Sequence, residues 1–341
     1  MTSQEEQSFL TVIVANPDDD TPRLVFADWL DERGTDDDRA RAALIRAQCR
    51  LEYLPTGRER RKLEGEAKAI LRANAKRWTN DLREADLNLD WQFRRGFLDG
   101  VQMSATLFVE QGKELFALAP TVRTVYFPRA ANELTQLAAS PFLARLASVD
   151  LTQMCTCGYC PIDVELRDLF RSKHAKGLQH LNVSRDRFDA AGARALARSA
   201  HLANLTSLDL SDNPVRDDGA AALVAARHLT KLVRLNLART DLRAAGVEAL
   251  ATAKHFPSLA RLELSENGID ADGVKALIAA PFFKQLTALD LSKNRIAEAG
   301  AKALAEAADE SKLEFLDLRT CRLGQKAIKL MNAAFGKKVK L

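Results

Sequence analysis

Aromatic residues are scarce in this 341-residue chain, with Phe, Trp and Tyr together making up 6% of positions. That leaves little material for stacking on bases, and the densest basic run, RERRKL at Arg58 to Leu63, contains none. It reads as a solvated helix face, so no nucleic-acid partner is expected. Long apolar runs are also missing. Nothing approaches the roughly 20 residues that cross a bilayer, so no membrane partner is expected. The opening MTSQEEQSFLTVIV has two glutamates where a secretory signal would carry Lys or Arg. Cysteine is rare and odd in number, five in all, which suits a reducing compartment better than a set of disulfides. The expected location is therefore cytoplasmic. The sequence also lacks GxSxG, HExxH, GxxxxGK(S/T) and a GxGxxG after a strand, so no enzyme activity is expected. Of the five histidines, His201, His228 and His255 stand 27 apart, which marks scaffold rather than catalysis.

Hydrophobic residues, by contrast, make up 47% of the chain, enough for a substantial core. The net charge of +4 hides an asymmetry. Residues 1–38 hold eleven acids against two arginines, and residues 39–100 hold fifteen basic residues against nine acids. Such blocks attract each other or a shared partner.

Self-similarity is the strongest signal. The segments LQHLNVSRDRF, LTSLDLSDNPV, LVRLNLARTDL, LARLELSENGI, LTALDLSKNRI and LEFLDLRTCRL begin at Leu178, Leu205, Leu232, Leu259, Leu286 and Leu313, each 27 residues after the last. Positions 1, 4 and 6 are apolar, and positions 4 and 6 share one face of a short strand. Position 9 is Asp186, Asn213, Thr240, Asn267, Asn294 and Cys321, where a side chain can bond the backbone of neighbouring turns. Cys321 is thus expected to be structural. GARAL, GAAAL, GVEAL, GVKAL and GAKAL then start a helix whose small residues allow close packing. The pattern LxxLxLxxNxI resembles a leucine-rich repeat, and the 27-residue unit with a full helix resembles the ribonuclease-inhibitor-like class. That resemblance implies an α/β fold, a right-handed horseshoe solenoid with strands inside and helices outside. Leu98, Leu146 and Val122 begin three weaker matches, making nine strand candidates and an inner sheet about 40 Å long. A lysine-rich end, RLGQKAIKLMNAAFGKKVKL, reads as a polar cap.

Upstream of Leu98 the reading is helical. FLTVIVANPDDDTPRLVFADWLDERG, LIRAQCRL and WQFRRGF resemble the repeat-companion domain that planctomycete bacteria place beside leucine-rich repeats, except that RAALIR has Ala43 at an acidic position of the family. The resemblance implies an all-α helical module joined to a solenoid. Asp20 or Thr21 is expected to cap the second helix and Gly34 to end it. The expected domains are residues 1–96, a helical companion domain, and 97–341, a repeat domain irregular over 97–177 and regular over 178–341.

In each repeat the residue between positions 4 and 6 is expected to face solvent on the concave side. This column reads Asp150, Asn182, Asp209, Asn236, Glu263, Asp290 and Asp317, with Arg234 and Arg261 beside it. A mixed-charge surface of this kind suits recognition of a protein. Acids are also common scaffold residues in such repeats. The expected function is a non-enzymatic protein-interaction scaffold. The alternative is a regulatory or metal-binding component of an enzyme complex, built on CTCGYC, where Cys155, Cys157 and Cys160 offer three zinc ligands. A closed site needs a fourth, for which Asp186 and Asp189 are the candidates; the CxxC at Cys157 and Cys160 could also serve redox chemistry. No other cofactor is expected.

Overall fold

The computed structural model describes residues 4–87, 89–154 and 162–341. The chain divides into two compact units, Met1–Met103 with Leu107–Tyr126, and Ser104–Thr106 with Phe127–Leu341. No helix among the described residues is long and apolar enough to cross a membrane.

The first unit opens with helices α1 (Gln4–Ala15), α2 (Thr21–Arg33), α3 (Asp36–Tyr53), α4 (Arg58–Trp78) and the short α5 (Asn80–Glu84). Ile13, Phe26, Ala27, Leu30, Ile45 and Phe97 form its core. Helix α2 starts with Pro22 in its first turn and ends at Gly34, whose φ of 75° lets its N–H reach the carbonyl of Leu30. The expected cap differs: the carboxylate of Asp19 accepts from the N–H of Thr21 at 2.8 Å. The Asp20 side chain makes no cap bond and faces the guanidinium of Arg95, with Nε at 3.3 Å. The opposed charge blocks meet inside the unit. Arg46 bridges Asp28 at 2.7 Å and Asp31 at 2.6 Å, and Arg77 pairs with Asp37. The guanidinium of Arg41 lies against Trp78, Phe93 and Phe97, 4.8 to 5.3 Å from the ring centroids.

Helix does not continue to residue 96. WQFR falls in β1 (Asp90–Arg94), which pairs antiparallel with β2 (Phe97–Gln102). The cause is the two-residue turn at Arg95 and Gly96, both with positive φ (53° and 83°), the combination that suits the twist of a tight hairpin. A Cβ on Gly96 would stand 2.6 Å from the Cα of Ile45, so only glycine fits. Helix α6 (Ala105–Leu118) and β3 (Thr124–Tyr126) follow, with β3 parallel to β2.

The second unit is the periodic part. After α7 (Leu134–Ala139) come β4 (Ser148–Asp150), α8 (Ile162–Arg171), β5 (His180–Asn182), α9 (Ala190–Ala197), β6 (Ser207–Asp209), α10 (Arg216–Val224) and β7 (Arg234–Asn236). Then follow α11 (Ala244–Ala251), β8 (Arg261–Glu263), α12 (Ala271–Ala279), β9 (Ala288–Asp290), α13 (Ala297–Glu306), β10 (Phe315–Asp317), α14 (Gln325–Phe335) and β11 (Val339–Lys340). Strands β4 to β10 pair parallel with equivalent residues opposite each other, so Val149, Leu181, Leu208, Leu235, Leu262, Leu289 and Leu316 form one buried row. Each such residue contributes roughly 1.5–3 kcal/mol of burial. At the carboxyl end β11 adds a further parallel strand against β10.

Helix packing explains the glycine in the first turn of α9 to α13. A Cβ on Gly300 would approach Ile296 Cγ2 to 2.5 Å and Ala271 Cα, in the adjacent helix, to 3.3 Å. The turns are closed by position 9. Asn294 donates through Nδ2 to the carbonyls of Leu264 and Leu291, both at 2.9 Å, and to Ser292. Its Oδ1 accepts from the N–H groups of Asn267 and Ile269 in the preceding repeat. Asn213 and Asn267 repeat this arrangement, and the thiol of Cys321 donates to Leu291 at 3.1 Å.

Candidate ligand-binding face

Strand register places the predicted column side by side: Asp150 opposite Asn182, then Asp209, Asn236, Glu263, Asp290 and Asp317 in successive strands. Two positions earlier on the same strand face lie Arg234 and Arg261, which oppose each other directly. The sheet therefore brings together the acidic and basic residues that the repeat period put 27 apart.

Most of the column has a local duty. Asp150 Oδ1 accepts from the N–H of Thr152, Asn182 Oδ1 from Ser184, Asp209 Oδ1 from Ser211, Asn236 Oδ1 from Ala238 and Asp290 Oδ1 from Ser292, at 2.8 to 3.0 Å. Each closes a turn just after its strand. The asparagines also temper the charge, because Asn182 Nδ2 donates to Asp150 Oδ2 at 3.2 Å and Asn236 Nδ2 to Asp209 Oδ2 at 2.9 Å.

Glu263 breaks the pattern. One methylene longer than Asp, it makes no such turn bond, and it sits half-buried between Asn236 and Asp290. Burial, then Asp209, pushes its carboxyl above the usual range, with Arg261 opposing and Asp290 reinforcing the rise. Arg234 and Arg261 are exposed, and among the described residues neither side chain has a hydrogen bond or an ion pair within 4 Å. Two adjacent guanidiniums with open donors, beside a half-buried acid, form a patch able to take an anionic group.

Asp317 corrects the expectation of a solvent-facing column. It is only 1% exposed, and Arg319 covers it with Nε 3.0 Å from each carboxylate oxygen and Nη2 at 2.6 Å from Oδ2. Burial pushes this carboxyl up, but the bonds to Arg319 outweigh it and hold the group below the usual range. The repeat pattern does not single out Arg319, whose only mark is that it stands where other repeats have Thr, Ser or Ala.

One position beyond the turn bonds a second row alternates in sign. Arg185 lies 3.7 Å from Asp212, Arg239 donates to Asp212 at 2.7 Å and to Glu266 at 3.3 Å, and Lys293 reaches Glu266 at 2.8 Å. The bond to Asp212 raises the Arg239 pKa, and the bond to Lys293 lowers that of Glu266. All five residues have φ between 52° and 60°, so the ladder is built on left-handed backbone that non-glycine residues seldom adopt. These charges are spent on one another.

Cys155, Cys157 and Cys160 lie outside the described residues. Of their candidate companions, Asp189 caps α9, its Oδ1 accepting from Ala191 and Gly192 at 2.6 and 3.3 Å. Asp186 is buried, and its N–H donates to Asn213 Oδ1 at 2.9 Å. Among the described residues no three His, Cys, Asp or Glu side chains cluster so as to hold a metal.

A family model described as Leucine Rich repeat matches residues 201–224, 228–251, 257–277 and 285–305, in phase with the register above. The chain carries leucine-rich repeats. The matched repeats span α10 to α13 and their strands, and they include Asp209, Arg234, Arg261, Glu263 and Asp290 in or between the matched stretches. No curated protein matches the chain. Among solved structures, the chain is similar to a protein from Bacteroides fragilis at 13% identity and a TM-score of 0.47, covering 82% of this chain and 83% of that one. An internalin from Listeria monocytogenes has 15% identity and a TM-score of 0.34, with 63% and 67% covered.

Proposed function

We propose that the leucine-rich repeats form a right-handed horseshoe of the ribonuclease-inhibitor-like class, and that its concave strand face binds a protein partner without catalysing a reaction. Leucine-rich repeats generally mediate protein–protein interaction, which supports a scaffold. The observation that carries the choice of face is the Arg234–Arg261 pair, whose donors have no partner among the described residues beside half-buried Glu263. A carboxylate-bearing side chain of the partner would satisfy the guanidiniums in bidentate fashion. In this reading residues 1–96 are a repeat-companion domain, residues 97–341 the repeat domain, and the protein works in the cytoplasm.

The test compares partners retained from the native host by wild-type protein, by Arg234→Glu with Arg261→Glu, and by Glu263→Lys. Asp209 and Asp290 are poor choices because both close turns. A partner lost with the strand-face variants and kept by Lys275→Glu on α12 supports the reading. Equal retention by all the variants overturns it.

A further inference from the structure

The helical side of the second unit holds a separate concentration of charge. Arg167 and Arg171 stand one turn apart on α8, and Arg194 and Arg198 stand one turn apart on and just after α9. All four line one depression of about 280 Å³ whose other described lining residues are Ala191 and Ala195. No acid lines it among the described residues. The side chains of Arg171, Arg194 and Arg198 have no hydrogen bond or ion pair within 4 Å among the described residues. A cation at a helix carboxyl end is favoured by the helix dipole, which accounts for Arg171 and Arg198 but not for Arg194 lining the same hollow.

The repeat does not impose this cluster. At 27-residue intervals the place of Arg194 is taken by Ala221, Glu248, Lys275 and Lys302, and that of Arg198 by Ala225, Thr252, Ala279 and Glu306. The place of Ala191 is taken by Asp218 in α10 and Asp272 in α12, and by alanine again in α11 and α13. Small side chains thus form the floor of the depression, where an acid would cancel its charge.

We propose that this depression binds a soluble oligophosphate. Guanidinium forks match phosphate oxygens bidentately, and Arg171 on α8 with Arg194 and Arg198 on and just after α9 present three of them around the hollow. Its volume lies at the lower end of small-ligand sites, enough for a short chain of phosphate groups and not for a large apolar molecule. The ligand supplies the negative charge that the described lining lacks.

The experiment is calorimetric titration of the intact protein with sodium tripolyphosphate at constant physiological ionic strength. Saturable one-to-one binding is expected, weakened at least about tenfold in Arg194→Gln with Arg198→Gln and unchanged in Arg58→Gln with Arg72→Gln, two exposed arginines of α4. Phenylglyoxal modification of wild-type protein, read by peptide mass spectrometry, gives a measure that does not depend on a variant folding. Tripolyphosphate should protect Arg171, Arg194 and Arg198 and leave Arg58 and Arg72 reactive. The proposal fails if there is no saturable binding, if the α4 and depression variants lose it equally, or if protection is uniform. It also fails if the protein binds only vesicles containing phosphoinositides and not tripolyphosphate.

Discussion

The backbone N–H of Ala297 donates to the carbonyl of Cys321 at 3.1 Å, and Ala297 is held at a φ of 54° to make that bond. The same relationship joins Arg216, at φ 57°, to the carbonyl of Thr240 at 2.8 Å. The equivalent residues Asp189, Arg243 and Asp270 have φ between −110° and −121° and cap their helices in extended form. What differs is the following repeat. Asn213, Asn267 and Asn294 offer a side-chain oxygen to the preceding turn, whereas Thr240 and Cys321 do not provide the amide that takes both N–H groups. Position 9 of one repeat therefore sets how the helix of the previous repeat begins.

Restoring the amide should remove the left-handed backbone. Cys321→Asn and Thr240→Asn are each expected to stabilise the protein by roughly 1 kcal/mol, the scale of one left-handed non-glycine residue. A higher urea midpoint with an unchanged m-value checks this, and a lower midpoint for both variants contradicts it.

Gly96→Ala should be strongly destabilising, by about 3 kcal/mol. Its methyl group would collide with Ile45 of the first unit's core, and alanine resists the φ of 83°. Denaturant unfolding of the variant measures the loss, and Gly57→Ala, where a Cβ meets nothing within 4 Å, serves as the mild control.

His228 and His255 have their Nε2 atoms buried without a hydrogen-bond partner among the described residues. Burial lowers both pKa values, helped at His228 by the neighbouring His255 and at His255 by Arg227. The unfolded chain therefore takes up these protons first as pH falls. Stability is retained above the ordinary histidine pKa of about 6.5 and declines below it. Thermal unfolding between pH 7.5 and 5 should show the decline, and His228→Gln with His255→Gln should flatten it.

Cys49 and Cys321 should resist alkylation in the native protein. Burial, then Asp20, pushes the Cys49 thiol up to about 12, and burial also raises Cys321. Iodoacetamide labelling at pH 8, read by mass spectrometry, should leave both unmodified until denaturant is added. Rapid labelling of either one under native conditions would contradict the buried positions.

Much of this molecule was legible in its letters. Leucines at positions 1, 4 and 6 set the strands because burial demands one apolar face, and the strict 27-residue interval sets the register because each repeat stacks on its neighbour. The column Asp209, Asn236, Glu263 and Asp290 follows from that register. WQFR was misread because the helical pattern before it carries no mark of where it stops, and the hairpin depends on Gly96 meeting Ile45, 51 positions away. The sequence also could not separate working acids from structural ones. Asp317 and Glu263 hold the same place in their repeats, yet Arg319 folds over one while the other lacks a turn bond.

Sequence by itself determined the repeat, its strands and helices, and which residues share a face, since these depend on periodic burial. Tertiary structure decided which charges are already satisfied. Side-chain length, desolvation and neighbours from other repeats choose each pairing, so Asp212 and Glu266 are occupied while Arg234 and Arg261 keep their donors open. No period records that difference, because it arises only when particular side chains compete for the same partner in space.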